Sequence, residues 1–181
     1  MSVIDEAASR QALPAGSWSI DPAHSSVGFT IKHMALTTLH GSFQEFEGSL
    51  ELSNGTPRAG GSVSAASIET GDPIRDGHLR DSSDFFDVAH HPDITFSSTR
   101  ILLVGKARLR VEGELSMRGV TRELTLEGDF RDLADERRIE LYLRGELNRK
   151  DFGLTWNQKL DAGGALLGNK VKIELRLSAL A

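Results

Sequence analysis

Six histidines, His24, His33, His40, His78, His90 and His91, are the side chains of this sequence best suited to chemistry near neutral pH. With Asp21 and Asp87 they raise the question of a metal centre. A metal site needs ligands that meet, and sequence announces this by histidines one helical turn apart or by a cysteine–histidine set. There is no cysteine, and His24 and His33 flank one predicted strand, too far apart along it to share an ion. The expectation is no metal and no cofactor, with the histidines tying loops to the scaffold by hydrogen bonds. Asp76, His78 and Ser82 supply the residue types of a nucleophilic triad. No strand–Ser–helix elbow holds Ser82, and no donor pair for an oxyanion stands nearby. No catalytic residue is assigned, and the chain is read as a non-enzyme.

The bulk composition narrows the partners. The 181 residues suit one domain with a sizeable core. Net charge is −5, and the basic pairs Arg137-Arg138 and Arg149-Lys150 stand apart, which argues against nucleic acid and anionic membrane surfaces. Without cysteine there are no disulfides. No stretch approaches the ~20 apolar residues of a membrane span. The first sixteen residues hold Asp5, Glu6 and Arg10 and no apolar run, unlike a secretory leader. They read as a flexible tail ending at Pro14-Ala15-Gly16, with the folded domain over 17–181 and a cytoplasmic location expected.

The elements that must position any site alternate with period two. Leu109, Val111, Gly113, Leu115 and Met117 interleave with Arg110, Glu112, Glu114 and Ser116, the pattern of a half-buried strand. It returns in Leu124, Leu126, Gly128 and Phe130, in Leu141, Leu143, Gly145 and Leu147, and in Phe46, Gly48, Leu50 and Leu52. Phe29 and Ile31 alternate in an early strand, and Val171 and Ile173 in the last. Strands are expected near 17–20, 25–33, 40–52, 61–69, 94–103, 107–117, 120–130, 138–148 and 169–178, with turns at Asn54-Gly55, Gly105-Lys106 and Ala134-Asp135. The fold class is all-β. Charged outer faces with no helices to cover the inner ones favour a closed antiparallel barrel of eight strands over a sandwich. The expected lumen wall is Phe29, Ile31, Phe46, Leu50, Phe96, Val111, Gly113, Leu115, Leu124, Leu126, Leu141, Leu143, Val171 and Ile173. Two readings of the inward glycines stand: they let strands bend at barrel corners, or they keep a lumen open for a ligand.

Two stretches break the alternation. From Gly71 to Pro92, Asp72 as N-cap and Pro73 at the first helical position predict a short helical crossover over Arg75–Phe86. There Leu79, Phe85 and Phe86 bury, and Arg75, Asp76 and Asp84 pair or cap. From Asn148 to Gly168 the chain is irregular, with Phe152 and Trp156 either plugging a barrel end or touching a ligand. A two-residue turn at Arg118-Gly119 would oppose Met117 to Val120, Leu115 to Arg122, Gly113 to Leu124 and Leu109 to Gly128. That register turns Arg122 inward near the rim, where a cation suits an anionic head group; the alternative is that Arg122 reaches out to water.

Several stretches are particular. They are Trp18-Ser19-Ile20-Asp21 with His24-Ser25, Ile31-Lys32-His33-Met34, Arg75-Asp76-Gly77-His78-Leu79-Arg80, Asp84-Phe85-Phe86-Asp87-Val88 and His91-Pro92-Asp93-Ile94-Thr95-Phe96. Arg118-Gly119-Val120-Thr121 and Asp151-Phe152-Gly153-Leu154-Thr155-Trp156-Asn157 follow, with Gly163-Gly164 and Gly168 before the last strand. In this order they resemble the YceI-like family over about residues 17–178. The resemblance implies a lipocalin-like barrel with a long apolar lumen that binds a polyisoprenoid, such as a polyprenyl phosphate, a polyprenyl pyrophosphate or a quinone side chain. It implies no catalysis. It also implies a leaning toward a homodimer and, for many relatives, a periplasmic location that the start of this chain does not share.

Overall fold

The computed structural model describes residues 13–52, 56–158, 160 and 166–181. The period-two segments become β1 (Ser17–Ile20), β2 (Ser26–His33), β3 (Thr37–Phe43), β4 (Phe46–Glu51), β5 (Arg58–Ser64), β6 (Ile68–Glu69), β7 (Asp93–Leu103), β8 (Arg108–Met117), β9 (Val120–Leu133), β10 (Arg138–Asn148) and β11 (Leu167–Leu180). All lie in one antiparallel sheet. β1 with β2, β3 with β4, and β5 with β6 are halves of three bent strands, so the closed barrel counts eight strands. The first bend has a local cause. Pro22 has no N–H to give a ladder, and the Asp21 carboxylate accepts from Ala23 N at 3.1 Å, capping a short 3-10 turn over Pro22–His24.

The bends close the ring. β1 pairs with β4 on one side and with the end of β11 on the other, through Ser19 opposite Leu180 and Ile20 opposite Ala179. β2 pairs with β3 and with the earlier part of β11. The expected hairpin register is present, with Met117 opposite Val120, Leu115 opposite Arg122, Gly113 opposite Leu124 and Leu109 opposite Gly128. Its turn residues Arg118 and Gly119 both have positive φ, 54° and 73°, the handedness that fits the twist of a two-residue hairpin.

The two ends of the barrel differ. At one, Trp18, Leu109, Phe130, Ile139 and Ala179 are buried and form a solid floor. Leu13 packs against this core, and Gly16 O accepts from Leu52 N at 2.8 Å. Leu13 and Gly16 of the expected tail thus touch the barrel; residues 1–12 lie outside the described residues. The expected turn at Asn54-Gly55 also lies outside them. At the other end the chain crosses from β6 to β7 through a helix, α1 (Pro73–Asp81), which ends at the Ser82 cap instead of running on to Phe86 as expected. Asp72 caps it, accepting from Ile74 N at 3.0 Å and Arg75 N at 3.3 Å. Asp76 is buried, accepting from the Thr70 N–H and hydroxyl. No helix among the described residues is long and apolar enough to cross a membrane.

Close packing, not open space, accounts for the inward glycines Gly113 and Gly128. A Cβ at Gly113 would stand 2.5 Å from Phe96 Cζ and 2.5 Å from Ser97 O. One at Gly128 would stand 1.7 Å from Tyr142 O. Gly113 thus makes room for an aromatic ring laid across it, beside a register shift in β7 between Ser98 and Arg100. Glycine at such a place lets backbone and ring approach where the sheet curls. Gly113→Ala is expected to lower stability by ~1–3 kcal/mol through overpacking. Gly128→Ala should cost more, since main chain rather than a movable ring blocks it. Urea unfolding of both variants measures this, and a Gly113→Ala protein as stable as the parent would contradict it.

A second expectation concerns the segment after α1. His90 Nδ1 lies 2.9 Å from Asp87 Oδ1, and this hydrogen bond, with the carboxylate's charge, raises the imidazole pKa above 6.5. A raised pKa means that the pair's contribution is complete at pH below the unfolded value and is lost as pH climbs through the folded one. An NMR titration of His90 should report a pKa above the ordinary histidine value, and Asp87→Asn should bring it back down.

Candidate functional site

Between the floor and α1 the barrel encloses a cavity of about 410 Å³. Its wall is built by the inward face of every strand except those residues that form the floor. Phe29, Ile31, Phe46, Leu50, Phe96, Val111, Leu115, Leu124, Leu126, Leu141, Leu143, Val171 and Ile173 all line it, as does Trp156 from the loop before β11. Sequence periodicity placed these side chains on one face, and closure of the ring turns that face inward. Gly113 is the exception in the predicted wall. Phe96 covers it and itself lines the cavity, so the glycine supports a lining ring rather than widening the lumen. Gly41 does the same for Phe29, whose Cζ would lie 2.2 Å from a Cβ there.

Of the two readings of Arg122, the structure follows the outward one. The register puts it opposite Leu115 as predicted, yet its side chain is exposed and its guanidinium donates to the carbonyl of Thr121 at 3.0 Å. It stands three residues past Gly119, near the barrel rim, where a long side chain escapes to water at little cost. The cations that do line the cavity are Arg75 and Arg149. Arg75 comes from α1; its Nε donates to Thr70 Oγ1 and its Nη2 to Thr70 O, both at 2.7 Å. The Thr70 hydroxyl in turn donates to Asp76, so a carboxylate stands one hydrogen bond behind Arg75. Arg149 follows β10 and is 2% exposed. Sequence reasoning assigned Arg75 to the crossover and passed over Arg149 as half of an isolated basic pair. The available signal was a single arginine beside the Asp151-Phe152-Gly153 stretch in a loop without periodicity.

The open end is an aromatic cluster. The His78 ring meets Phe85 edge-on at 5.4 Å and Trp156 edge-on at 5.9 Å, and Phe85 and Trp156 lie 5.5 Å apart. His78 is exposed and also lines the cavity, so it marks the mouth. Phe152, which shared two readings with Trp156, is buried and is not among the lining residues: it plugs, while Trp156 faces the cavity. Arg118 fastens the loops of this end, its guanidinium donating to Gly153 O and Ser83 O. Gly163 and Gly164 lie outside the described residues.

Two of the histidines tie loops by hydrogen bonds, and the triad types are held apart. His24 bonds Asp21 at 2.7 Å, which holds that carboxyl below its ordinary pKa, and His90 bonds Asp87. Ser82 caps α1, its N–H donating to His78 O and its hydroxyl accepting from Asp84 N, while Asp76 is held by Thr70. Asp76, His78 and Ser82 therefore form no relay. Among the described residues no three metal-ligating side chains converge.

Comparison with known proteins agrees with this architecture. The chain matches the YceI-like domain over residues 18–179. It is 32% identical over 165 residues to the UPF0312 protein SAS2572 of Staphylococcus aureus (strain MSSA476), covering 87% of this chain and 93% of that one. Among solved structures it is similar to Burkholderia cenocepacia BcnA, with TM-score 0.77, 21% identity and coverage of 88% and 98%. It is also similar to a polyisoprenoid binding domain from Saccharophagus degradans implicated in plant cell wall breakdown, with TM-score 0.71, 18% identity and coverage of 91% and 98%. The Campylobacter jejuni YCEI protein aligns with TM-score 0.67 and 23% identity over 87% of this chain and 94% of that one. From the motifs, the barrel and the match across almost its whole length, the chain belongs to the YceI-like domain family.

Proposed function

We propose that this protein binds one long-chain isoprenoid lipid in the barrel lumen and sequesters or carries it without chemical change. The observation that carries this reading is the cavity itself, enclosed by strands and walled mostly by Phe, Leu, Ile and Val side chains. Its volume falls in the range of small-molecule sites. Each CH₂ moved from water into such a wall contributes ~0.8 kcal/mol. On the order of ten of them contribute about 8 kcal/mol, the equivalent of micromolar affinity before the cost of immobilising the chain. The polyisoprenoid-binding description of the Saccharophagus degradans domain supports the same ligand class. A polyprenyl phosphate, a polyprenyl pyrophosphate and the tail of an isoprenoid quinone all present the required slender, apolar chain.

Binding is favoured over catalysis by the polar groups at the wall. His33 and His78 line the cavity, but among the described residues neither ring has a hydrogen-bonding partner, and a general base needs a third group to orient it. The lining side chains act as solvent for the ligand, with Phe29, Phe96 and Trp156 offering flat faces and the aliphatic residues filling between them.

Native mass spectrometry of the full chain, purified from a host that makes isoprenoids, tests the reading. One lipid-sized adduct per chain, released by organic extraction, is expected, and the same spectra give the oligomeric state, for which a homodimer is expected. A bare polypeptide mass, with no saturable uptake of a long prenyl probe, would overturn it. Ile173→Trp places a large ring in the cavity and should reduce long-chain prenyl affinity by about tenfold or more, with melting temperature changed by only a few degrees.

A further inference from the structure

A fully buried cation stands in the wall of this apolar cavity. Arg149 is 2% exposed and lines the cavity. Its Nε donates to Gly168 O at 2.7 Å, and its Nη1 to Leu154 O at 2.6 Å and Trp156 O at 2.7 Å. Its Nη2 reaches Leu167 O only at 3.4 Å. These bonds use four of the five N–H groups a guanidinium carries, and all four acceptors are neutral main-chain carbonyls. The fifth, on Nη2, has no acceptor among the described residues, and the fourth is at the long limit of a hydrogen bond. No carboxylate lies within ion-pair distance of Arg149 among the described residues; the salt bridges there belong to other cations. Burial pushes its pKa down, and no neighbouring charge counters that shift.

Arg75 makes the contrast. It also lines the cavity, but the Thr70 hydroxyl links it to the Asp76 carboxylate. Carbonyl dipoles take four of the N–H groups of Arg149, and among the described residues no carboxylate compensates its unit charge, in a medium that penalises isolated charge. An arginine remains protonated in such a place. Holding the loop before β11 against the barrel explains three of the bonds; it does not explain a cation with a poorly used Nη2 at the wall of a binding cavity.

We propose that Arg149 is the polar anchor of the lumen, and that it takes an anionic oxygen group, phosphate or carboxylate, carried at the end of the apolar chain. The inference rests on the lumen-binding reading and gives it a direction. The head lies toward the loop that holds Trp156, whose carbonyl Arg149 grips and whose ring meets His78 at the mouth. The tail points to the floor of Trp18, Phe130 and Ile139. An oxyanion beside Nη2 would accept from its remaining N–H, a charge-assisted hydrogen bond.

Calorimetric titration of the delipidated full chain tests this with three probes: geranylgeranyl phosphate, geranylgeraniol and inorganic phosphate. The phosphate lipid should bind about tenfold to a hundredfold more tightly than the alcohol, the gain expected of a buried charge-assisted hydrogen bond. Inorganic phosphate should show no saturable binding at millimolar concentration. Arg149→Gln should bring the two lipid affinities to within about threefold of one another. Should that variant fail to fold, the parent protein with ¹⁵N-labelled arginine supplies the readout. The Arg149 side-chain resonances, slow to exchange because buried, should shift with geranylgeranyl phosphate and stay in place with geranylgeraniol. Equal affinity for the two lipids, or equal shifts, would overturn the anchor and leave the lumen reading standing. Binding of inorganic phosphate as tight as the lipid's would make the site one for free anions and overturn it too. If neither lipid binds, the lumen reading itself fails and takes the anchor with it.

Discussion

Everything inside this protein depends on one set of hydrogen bonds, those by which β11 pairs with both halves of the bent first strand. A half-buried strand has one apolar face to hide, and a sheet with free edges hides it only with help from other layers. By meeting β2 along most of its length and β1 at its end, β11 removes both edges at once. The 3-10 turn at Pro22–His24 is what lets a single run of chain serve two stretches of β11. Without that closure the inward faces of β8, β9 and β10 would be an exposed apolar sheet, not the wall of a cavity.

Closure also forces a choice about volume. A barrel of this size either fills its interior or keeps part of it empty, and here the two solutions are stacked. Near the floor, Phe130, Ile139, Leu109 and Trp18 belong to one core cluster and are buried to a few per cent exposure. Higher up, side chains such as Val171 and Ile173 keep part of their surface uncovered and face the cavity. Rings laid over glycines, Phe96 over Gly113 and Phe29 over Gly41, hold the wall smooth without filling the space.

Much of this was legible in the sequence because strand period is a strict code. Alternation in β8, β9 and β10 gave the inward faces, and the Arg118-Gly119 turn gave a register that the pairing of Leu115 with Arg122 reproduces. Asp72-Pro73 announced α1 by its chemistry alone. What escaped has a common physical origin: it depends on where a chain path returns rather than on local pattern. At Gly113 the alternation left both readings of the inward glycines open, because the ring that covers it comes from two residues along a neighbouring strand, beside a register shift. Arg122 sits on the face that the register predicts, and its flexible side chain takes the outward of the two routes the sequence left open. Arg149 was missed because the carbonyls of Leu154, Trp156, Leu167 and Gly168 converge on it only after an aperiodic loop has doubled back to start β11.

The solid floor has a mechanical consequence. A tube sealed at one end has a single doorway, so whatever enters must leave by retracing its path, and water displaced on filling must escape past the incoming chain. Such a vessel also measures its contents: a chain shorter than the bore leaves a void beneath it, and a longer one stands out past His78 and Trp156 into solvent. The depth set by Trp18, Phe130 and Ile139 is therefore a ruler, and trimming any of these side chains lengthens it by about the height of the atoms removed.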